Sequence, residues 1–228
     1  MERLSIHKNA FIRPSPAGGT LGGVASRTRE TMLLCEAAGF DVVIVETVGV
    51  GQSETVVSSM VDFFLVLMIS GAGDELQGIK KGVLEMADAI AVNKADGDNI
   101  ARAKLARKEY EAALQLLRPA SPNWRPPVLT CSAREMTGID TLWEIILEHR
   151  EIMTQTRELE AKRKEQNLQW LYFMIREGLE EWFYGNSQVK KILPILRREV
   201  ERGRTAPTVA VKELLSCLFT SEDKIITR

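Results

Sequence analysis

Hydrophobic residues follow two rhythms along this chain. Short, near-continuous apolar runs predict buried strands at Asp41–Val45, Val61–Ile69, Ala89–Val92 and Val128–Cys131. The β-branched run Val42-Val43-Ile44-Val45 predicts a central parallel strand buried on both faces. Ala10-Phe11-Ile12-Arg13 predicts a short strand stopped by Pro14 and Pro16. Between these runs the apolar positions recur at helical spacing. Helices are expected at Met1–Lys8, from Arg27 to a C-cap at Gly39, through Gly82–Ala87, and over Ile100–Leu117. In the last of these, Ala103, Leu105, Tyr110, Ala113, Leu114 and Leu117 are the candidate core stripe.

A further helix opens near Thr137-Gly138-Ile139-Asp140 and runs through Leu142, Ile145 and Ile146. From Glu148 to Asn167 the chain is almost wholly polar, which reads as a solvated helix or an arm leaving the domain. Leu168, Leu171, Ile175, Leu179 and Trp182 then recur at steps of three and four, an amphipathic stripe. Val189, Ile192, Leu196 and Val200 make another near Pro194, and Pro207 is placed to open a last helix. Three helices without a catalytic constellation suit either a dimerisation module or a private core within one chain. The alternation of strands and helices predicts an α/β fold over residues 1–150, with a helical C-terminal arm over residues 151–228.

Composition narrows the function classes. The 228 residues are enough for one sizeable α/β core and an appendage. A formal net charge of -1 gives no reason to expect nucleic acid or an anionic membrane as partner. Cys35, Cys131 and Cys217 form neither a disulfide framework nor a CxxC site, which suits a reducing, cytoplasmic setting. His7 and His149 are too few to store nickel or zinc. No apolar stretch is long enough to span a bilayer.

The candidate chemistry lies at strand ends. Ala89-Ile90-Ala91-Val92 leads into Asn93-Lys94-Ala95-Asp96, a base-reading loop where open α/β sheets place their ligands. An aspartate can accept two parallel hydrogen bonds from guanine's N1–H and exocyclic amine, a donor pair that adenine lacks. Asn93 either braces the loop or meets acceptors of the base, and the stem of Lys94 can lie along the base plane. The bland alternative is a polar turn in which Asp98 or Asn99 caps the next helix. Ser132-Ala133, about forty residues later at the end of Val128–Cys131, is a second loop that can close over guanine through backbone N–H groups. Glu46, at the end of Asp41–Val45, can hold magnesium, often through water. Gly49 can meet a terminal phosphate, and Gln52 can orient an attacking water.

Two glycine-rich stretches fall short of a phosphate cradle. Ala17–Gly23 has no lysine and reads as a mobile loop. Gly73 and Gly78 have phosphate-loop spacing, but lysine is displaced, no serine or threonine follows it, and Asp74 and Glu75 would repel phosphate. That stretch reads instead as a second switch-like loop carrying Asp74, Gln77 and Lys80.

Together, these residues resemble the MeaB/ArgK/MMAA family of P-loop GTPases in the SIMIBI class. The resemblance rests on Arg13–Pro16 with Gly19–Ala25, Arg29-Glu30-Thr31, Glu46–Glu54, Gly71–Lys80 and Asn93–Asp98. It implies a mostly parallel P-loop-type sheet flanked by helices, binding GTP or GDP with Mg2+, and a GTPase that acts as a metallochaperone. It implies a partner, methylmalonyl-CoA mutase or a related cobalamin-dependent mutase, with nucleotide turnover gating adenosylcobalamin delivery and protecting the mutase. Under it, Glu46 and Gly49 belong to the magnesium and γ-phosphate switch. Asn93, Lys94 and Asp96 read guanine with Ser132 and Ala133 assisting. Asp74, Gln77 and Lys80 lie on the loop that communicates with the mutase, and the tail resembles a homodimerisation arm.

One departure stands against this pattern. The family's G-x-x-G-x-G-K-[ST] phosphate loop does not occur in these residues, so the first strand and helix of the sheet are expected to be missing and the chain to be a truncated form. A phosphate loop supplies a backbone nest, a lysine and a magnesium ligand, so nucleotide affinity should fall and hydrolysis should be lost without it. The alternative is a non-catalytic adaptor that keeps the mutase-binding and dimer surfaces. A nickel-insertion GTPase would need a histidine or cysteine cluster, and an amino-acid transport kinase, suggested by one name attached to the family, finds no kinase motif here.

Overall fold

A computed structural model describes residues 2–14, 21–47, 53–70 and 81–218. In chain order the elements are α1 (Glu2–Ser5), α2 (Leu21–Ala37), α3 (Ser53–Ser58), β1 (Leu65–Ile69), α4 (Lys81–Met86), β2 (Ala89–Asn93), a 3-10 turn at Gly97–Asn99 and α5 (Ile100–Gln115). They continue with β3 (Val128–Thr130), α6 (Ile139–Gln155), α7 (Glu158–Gly185), α8 (Ser187–Glu201) and α9 (Pro207–Ser216). The chain forms two compact units, Met1–Asn167 and Leu168–Arg228. The division at residue 150 expected from the sequence falls inside α6.

The first unit is α/β. Its three strands are parallel in the order β1-β2-β3, with Ile69 opposite Asn93 and Val92 opposite Thr130. The period-two alternation of β2 divides its side chains between two cores. Ile90 and Val92 pack with Phe64, Val66, Leu84, Ala103, Ala106, Tyr110 and Val128. Ala91 packs with Leu129 and Cys131 on the other face, against Ile139, Leu142 and Ile145 of α6. Helices therefore cover both faces, and Ala89 to Val92 are wholly buried. The α5 stripe runs through Ala103, Ala106 and Tyr110, whereas Leu105, expected within it, lies off-phase and exposed.

Three expectations need correction. Asp41–Val45 is not a strand; Val42 and Ile44 are exposed, and no described strand pairs with the segment. A β-branched run records only a preference for a pleated, half-buried surface, and the ladder depends on its neighbours. Ala10–Arg13 likewise forms no strand. The helix expected from Arg27 begins at Leu21, so the last residues of the glycine-rich stretch are helical. Gly39 does adopt the left-handed conformation of a C-cap, with φ +86°.

The polar run from Glu148 to Asn167 is helical and mostly exposed, as one of its two readings expected, but it is not an arm leaving the domain. It folds back onto the first unit through polar groups. Lys162 Nζ donates to Asp62 O at 2.9 Å, and Gln166 Nε2 donates to Val61 O at 3.0 Å. Arg163 grips the Asp62 carboxylate with two nitrogens, and Asn167 Oδ1 accepts from Arg29 Nη2 at 2.7 Å. At the entry to β2, Asp88 Oδ2 accepts from Phe64 N at 2.8 Å and from Lys162 Nζ at 3.3 Å. Buried His149 is held edge-on between Phe63 and Trp124, whose Nε1 donates to Asp88 O at 2.8 Å. His149 Nε2 stands 3.6 Å from Asp88 Oδ1, too far for a hydrogen bond but close enough for an electrostatic contact.

The second unit has a private core of Val189, Leu196, Ala210 and Leu214, joined by Phe183, Ile192, Leu193 and Val200. Asn186 opens α8 as its N-cap, accepting from Gln188 N and Val189 N. Pro207 opens α9 as expected. The stripe on α7 is not absorbed by this core: Leu168, Leu171, Ile175, Leu179 and Trp182 all remain about half exposed.

Burial alone raises the Asp88 carboxyl, but the His149 imidazole, the Lys162 ammonium and the Phe64 N–H outweigh it and hold the group below the usual carboxylate range. A depressed folded value stabilises the protein above the unfolded value of about 3.9, and this contribution is lost as pH falls through the folded value. Asp88→Asn should therefore cost roughly 2 kcal/mol at pH 7, and the deficit should shrink towards pH 3. Urea denaturation of both proteins at pH 7, 4 and 3 checks this; a deficit that does not change with pH contradicts it.

Candidate functional site

The base-reading loop expected at Asn93–Asp96 leaves the C-terminal end of β2, and the Ser132-Ala133 loop leaves the adjacent end of β3. Parallel pairing brings the two loops together, and backbone bonds continue the ladder past both strands. Cys131 N donates to Val92 O at 2.9 Å and Ala95 N donates to Cys131 O at 3.0 Å.

Asn93 joins the loops through one oxygen. Its Oδ1 accepts from Lys94 N at 2.7 Å and from Ala133 N at 3.2 Å, and the Cys131 thiol lies 3.8 Å away. Burial pushes that thiol's pKa up, so it remains a neutral donor. Of the two roles open to Asn93 in the sequence, its oxygen takes the brace. Its Nδ2 finds no acceptor among the described residues and remains available to a ligand.

Asp96 is half-buried and joined to the second loop. Fully buried Ser132 donates from Oγ to Asp96 Oδ2, and the same Oγ accepts from Glu135 N at 3.1 Å. Ser132 N and O also exchange bonds with Thr137 at 2.9 and 3.1 Å. The N–H groups of Ser132 and Ala133 are thus both engaged within the loop pair, a constraint that the sequence does not reveal. Asp96 Oδ1 has no hydrogen-bond donor among the described residues. The carboxylate is held through Oδ2, which leaves Oδ1 and the second lone pair of Oδ2 as acceptors for a ligand.

The helix-capping alternative does not describe this turn. Asn99 occupies the N-cap of α5 and Asp96 that of the 3-10 turn, yet neither side chain makes a capping bond. Lys94 is exposed and sits at φ +58°, a left-handed conformation that costs a non-glycine residue about 1–2 kcal/mol. Gly138 closes the second loop at φ +73°, where an added Cβ would lie 2.6 Å from Thr130 O, so the loop requires glycine there.

Glu46 is exposed, in the irregular segment after α2. Gly49, Gln52, Asp74, Gln77 and Lys80 lie outside the described residues. No group of three or more potential metal-ligating His, Cys, Asp or Glu side chains gathers among the described residues. No helix among them is long and apolar enough to cross a membrane.

Known proteins resemble this chain over most of its length. The profile described as methylmalonyl Co-A mutase-associated GTPase MeaB matches residues 1–188. A protein described as a putative GTPase from Caulobacter vibrioides is 54% identical over 95% of the chain and 66% of its own length. GTPase ArgK of Escherichia coli is 46% identical over 96% of the chain and 66% of its own length. The methylmalonic aciduria type A homolog of Mus musculus, described as mitochondrial, is 45% identical over 94% of the chain and 52% of its own length. A crystal structure of an LAO/AO transport system kinase superposes with a TM-score of 0.74 at 42% identity, covering 95% of this chain and 68% of the other. The chain thus spans no more than about two thirds of the length of these curated relatives, and its fold is that of the ArgK-type P-loop GTPase.

The brace role of Asn93 has a consequence independent of any ligand. Asn93→Ala strands the Lys94 and Ala133 N–H groups and should lower unfolding stability by about 2 kcal/mol in nucleotide-free protein. Urea midpoints measured without ligand check this; equal midpoints contradict the brace.

Proposed function

Since the chain belongs to the family of methylmalonyl Co-A mutase-associated GTPases, we propose that its paired loops read the guanine of GTP and GDP. The observation that carries this reading is the Asp96 carboxylate, fixed by Ser132 through Oδ2 with Oδ1 left for a ligand. In this reading, Asp96 accepts from N1–H and the exocyclic amine, Asn93 Nδ2 donates to the base, and the stem of Lys94 covers its face. Ser132 fixes Asp96, and Ala133 sits at the rim, with its N–H shared between Asn93 and a base oxygen.

We assign the phosphate end to the segment after α2. Glu46 holds Mg2+, Gly49 meets the γ-phosphate and Gln52 orients the attacking water. A magnesium ion held by Glu46 would supply neutralisation of charge at the phosphates. Asp74, Gln77 and Lys80 form the loop that senses a cobalamin-dependent acyl-CoA mutase, methylmalonyl-CoA mutase or a relative, with nucleotide turnover gating adenosylcobalamin delivery and protecting the mutase. The half-exposed stripe from Leu168 to Trp182 supplies a homodimer contact, and the setting is the reducing cytoplasm.

A second reading rests on one observation: the 228 residues contain no G-x-x-x-x-G-K-[ST]. Without a lysine-bearing phosphate cradle, a chain that keeps the mutase-binding and dimer surfaces acts as a non-catalytic adaptor.

Two measurements test these readings. Asp96→Asn replaces an acceptor oxygen with an amide donor, so nucleotide preference should move from guanine towards xanthine by about 1–3 kcal/mol; competition between GDP and xanthosine diphosphate reads the shift, and unchanged preference removes Asp96 from base reading. The 228-residue chain alone should hydrolyse GTP no faster than buffer. Phosphate release that Asp96→Ala abolishes would show that this chain is itself a hydrolase.

A further inference from the structure

Asn99 makes two bonds that neither helix capping nor base contact explains. Its Nδ2 donates to Lys94 O at 2.8 Å and to Ser70 Oγ at 2.7 Å. One amide nitrogen thereby uses both of its protons, each on a different strand end. Ser70 is buried and directly follows Ile69, the residue paired with Asn93. Lys94 is the strained residue of the base-reading loop, at φ +58°. Its carbonyl begins the peptide that leads through Ala95 to Asp96. Asn99 N also donates to Asp96 O at 3.0 Å, so the residue closes the turn through both backbone and side chain.

We infer that Asn99 is a positioning residue for base recognition: by tying Lys94 O to Ser70 Oγ it holds the left-handed turn that aims Asp96. The inference rests on the guanine-reading role of Asp96. The geometry separates the two bonds. The one to Lys94 O fixes the strained peptide directly, while the one to Ser70 Oγ anchors Asn99 to the end of β1. An aspartate in the same place keeps the size but supplies no N–H donor, and its charge repels Lys94 O. An alanine removes the donor without adding charge. Without the donor, the turn relaxes and the carboxylate loses its alignment with the exocyclic amine of guanine.

The informative readout is a ratio. Inosine lacks the exocyclic amine that guanine presents, so the affinity ratio of GDP to inosine diphosphate reports the alignment of Asp96. A variant that merely unfolds part of the sample loses binding capacity for both ligands and leaves the ratio unchanged. Ligand-observed NMR titration of the 228-residue chain, with Asn99→Ala, Asn99→Asp, Ser70→Ala and Asp96→Asn beside it, measures that ratio even at millimolar affinity. Both Asn99 variants should lower it by about tenfold, and Ser70→Ala should lower it less. A ratio moved by Asp96→Asn but by neither Asn99 variant overturns the positioning role. A ratio that Asp96→Asn also leaves unchanged overturns the base-reading assignment beneath it.

Hydrogen exchange adds a measurement that needs no nucleotide. The Ala95 amide, bonded to Cys131 O, should exchange about tenfold faster in Asn99→Ala. The Ile90 amide, bonded to Pro127 O at the other end of β2, should not change. Equal Ala95 exchange in the two proteins overturns the inference.

Discussion

The complete burial of β2 is the constraint on which the first unit depends. Ala89, Ile90, Ala91 and Val92 lose all contact with solvent, so every polar group of that backbone must find its partner in the neighbouring strands. Parallel pairing with β1 and β3 meets the requirement and fixes where the chain can next reach water, which is from Asn93 at the end of β2 and from Ala133 after β3. The two loops cannot drift apart, because Cys131 N and Ala95 N extend the ladder past both strand ends. The candidate site is therefore a consequence of strand burial before any ligand chemistry is considered. Residues that stop the hydrophobic run must be polar, and the parallel sheet sets their polar groups side by side.

Local pattern was enough wherever a residue's fate depends on its own periodicity. β2, β3, α5 and the helices of the second unit are legible because apolar spacing and end signals such as Gly39, Gly138 and Pro207 act within a few residues. Asp41–Val45 shows where that reasoning ends. Its β-branched run is denser than anything in β2, yet no described strand pairs with it, and pairing is a property of neighbours. The polar run at Glu148–Asn167 is the solvated helix that one reading expected, but its attachment to the first unit is invisible in the sequence for a related reason. Hydrophobic periodicity measures apolar attachment, while this segment is attached by Lys162, Arg163, Gln166 and Asn167 bonding to carbonyls and charged groups far away in sequence. His149 is buried among aromatics that sequence spacing does not reveal, because its partners Phe63, Asp88 and Trp124 are brought together only by the fold.

The candidate site was partly legible in a similar sense. Asn93, Lys94, Asp96, Ser132 and Ala133 are found together, as their positions at strand ends implied. The division of labour among them was not legible. The sequence left Asn93 between brace and base contact, and the structure gives its oxygen to two backbone N–H groups. It offered the Ser132 and Ala133 amides to guanine, and the structure engages both within the loop pair. Asn99 is one of the two cap candidates in the sequence, yet its side chain reaches to two strand ends. Propensity could not show this, because capping competes with whatever tertiary acceptors lie within reach.

That competition explains how a strained residue persists at the centre of the site. Left-handed Lys94 costs about 1–2 kcal/mol, comparable to the net worth of one hydrogen bond of about 1 kcal/mol or slightly more. One bond leaves such a turn marginal. Here the Lys94 N–H is held by Asn93 and its carbonyl by Asn99, so both polar groups of the strained residue are satisfied within the protein. Glycine would adopt the same φ without strain, but it has no side chain to cover a base and its backbone is less tightly specified. A lysine kept left-handed by two asparagines retains both properties. The turn is held because its donors and acceptors are matched on either side, and the residue that bears the conformational cost is one whose side chain stays exposed.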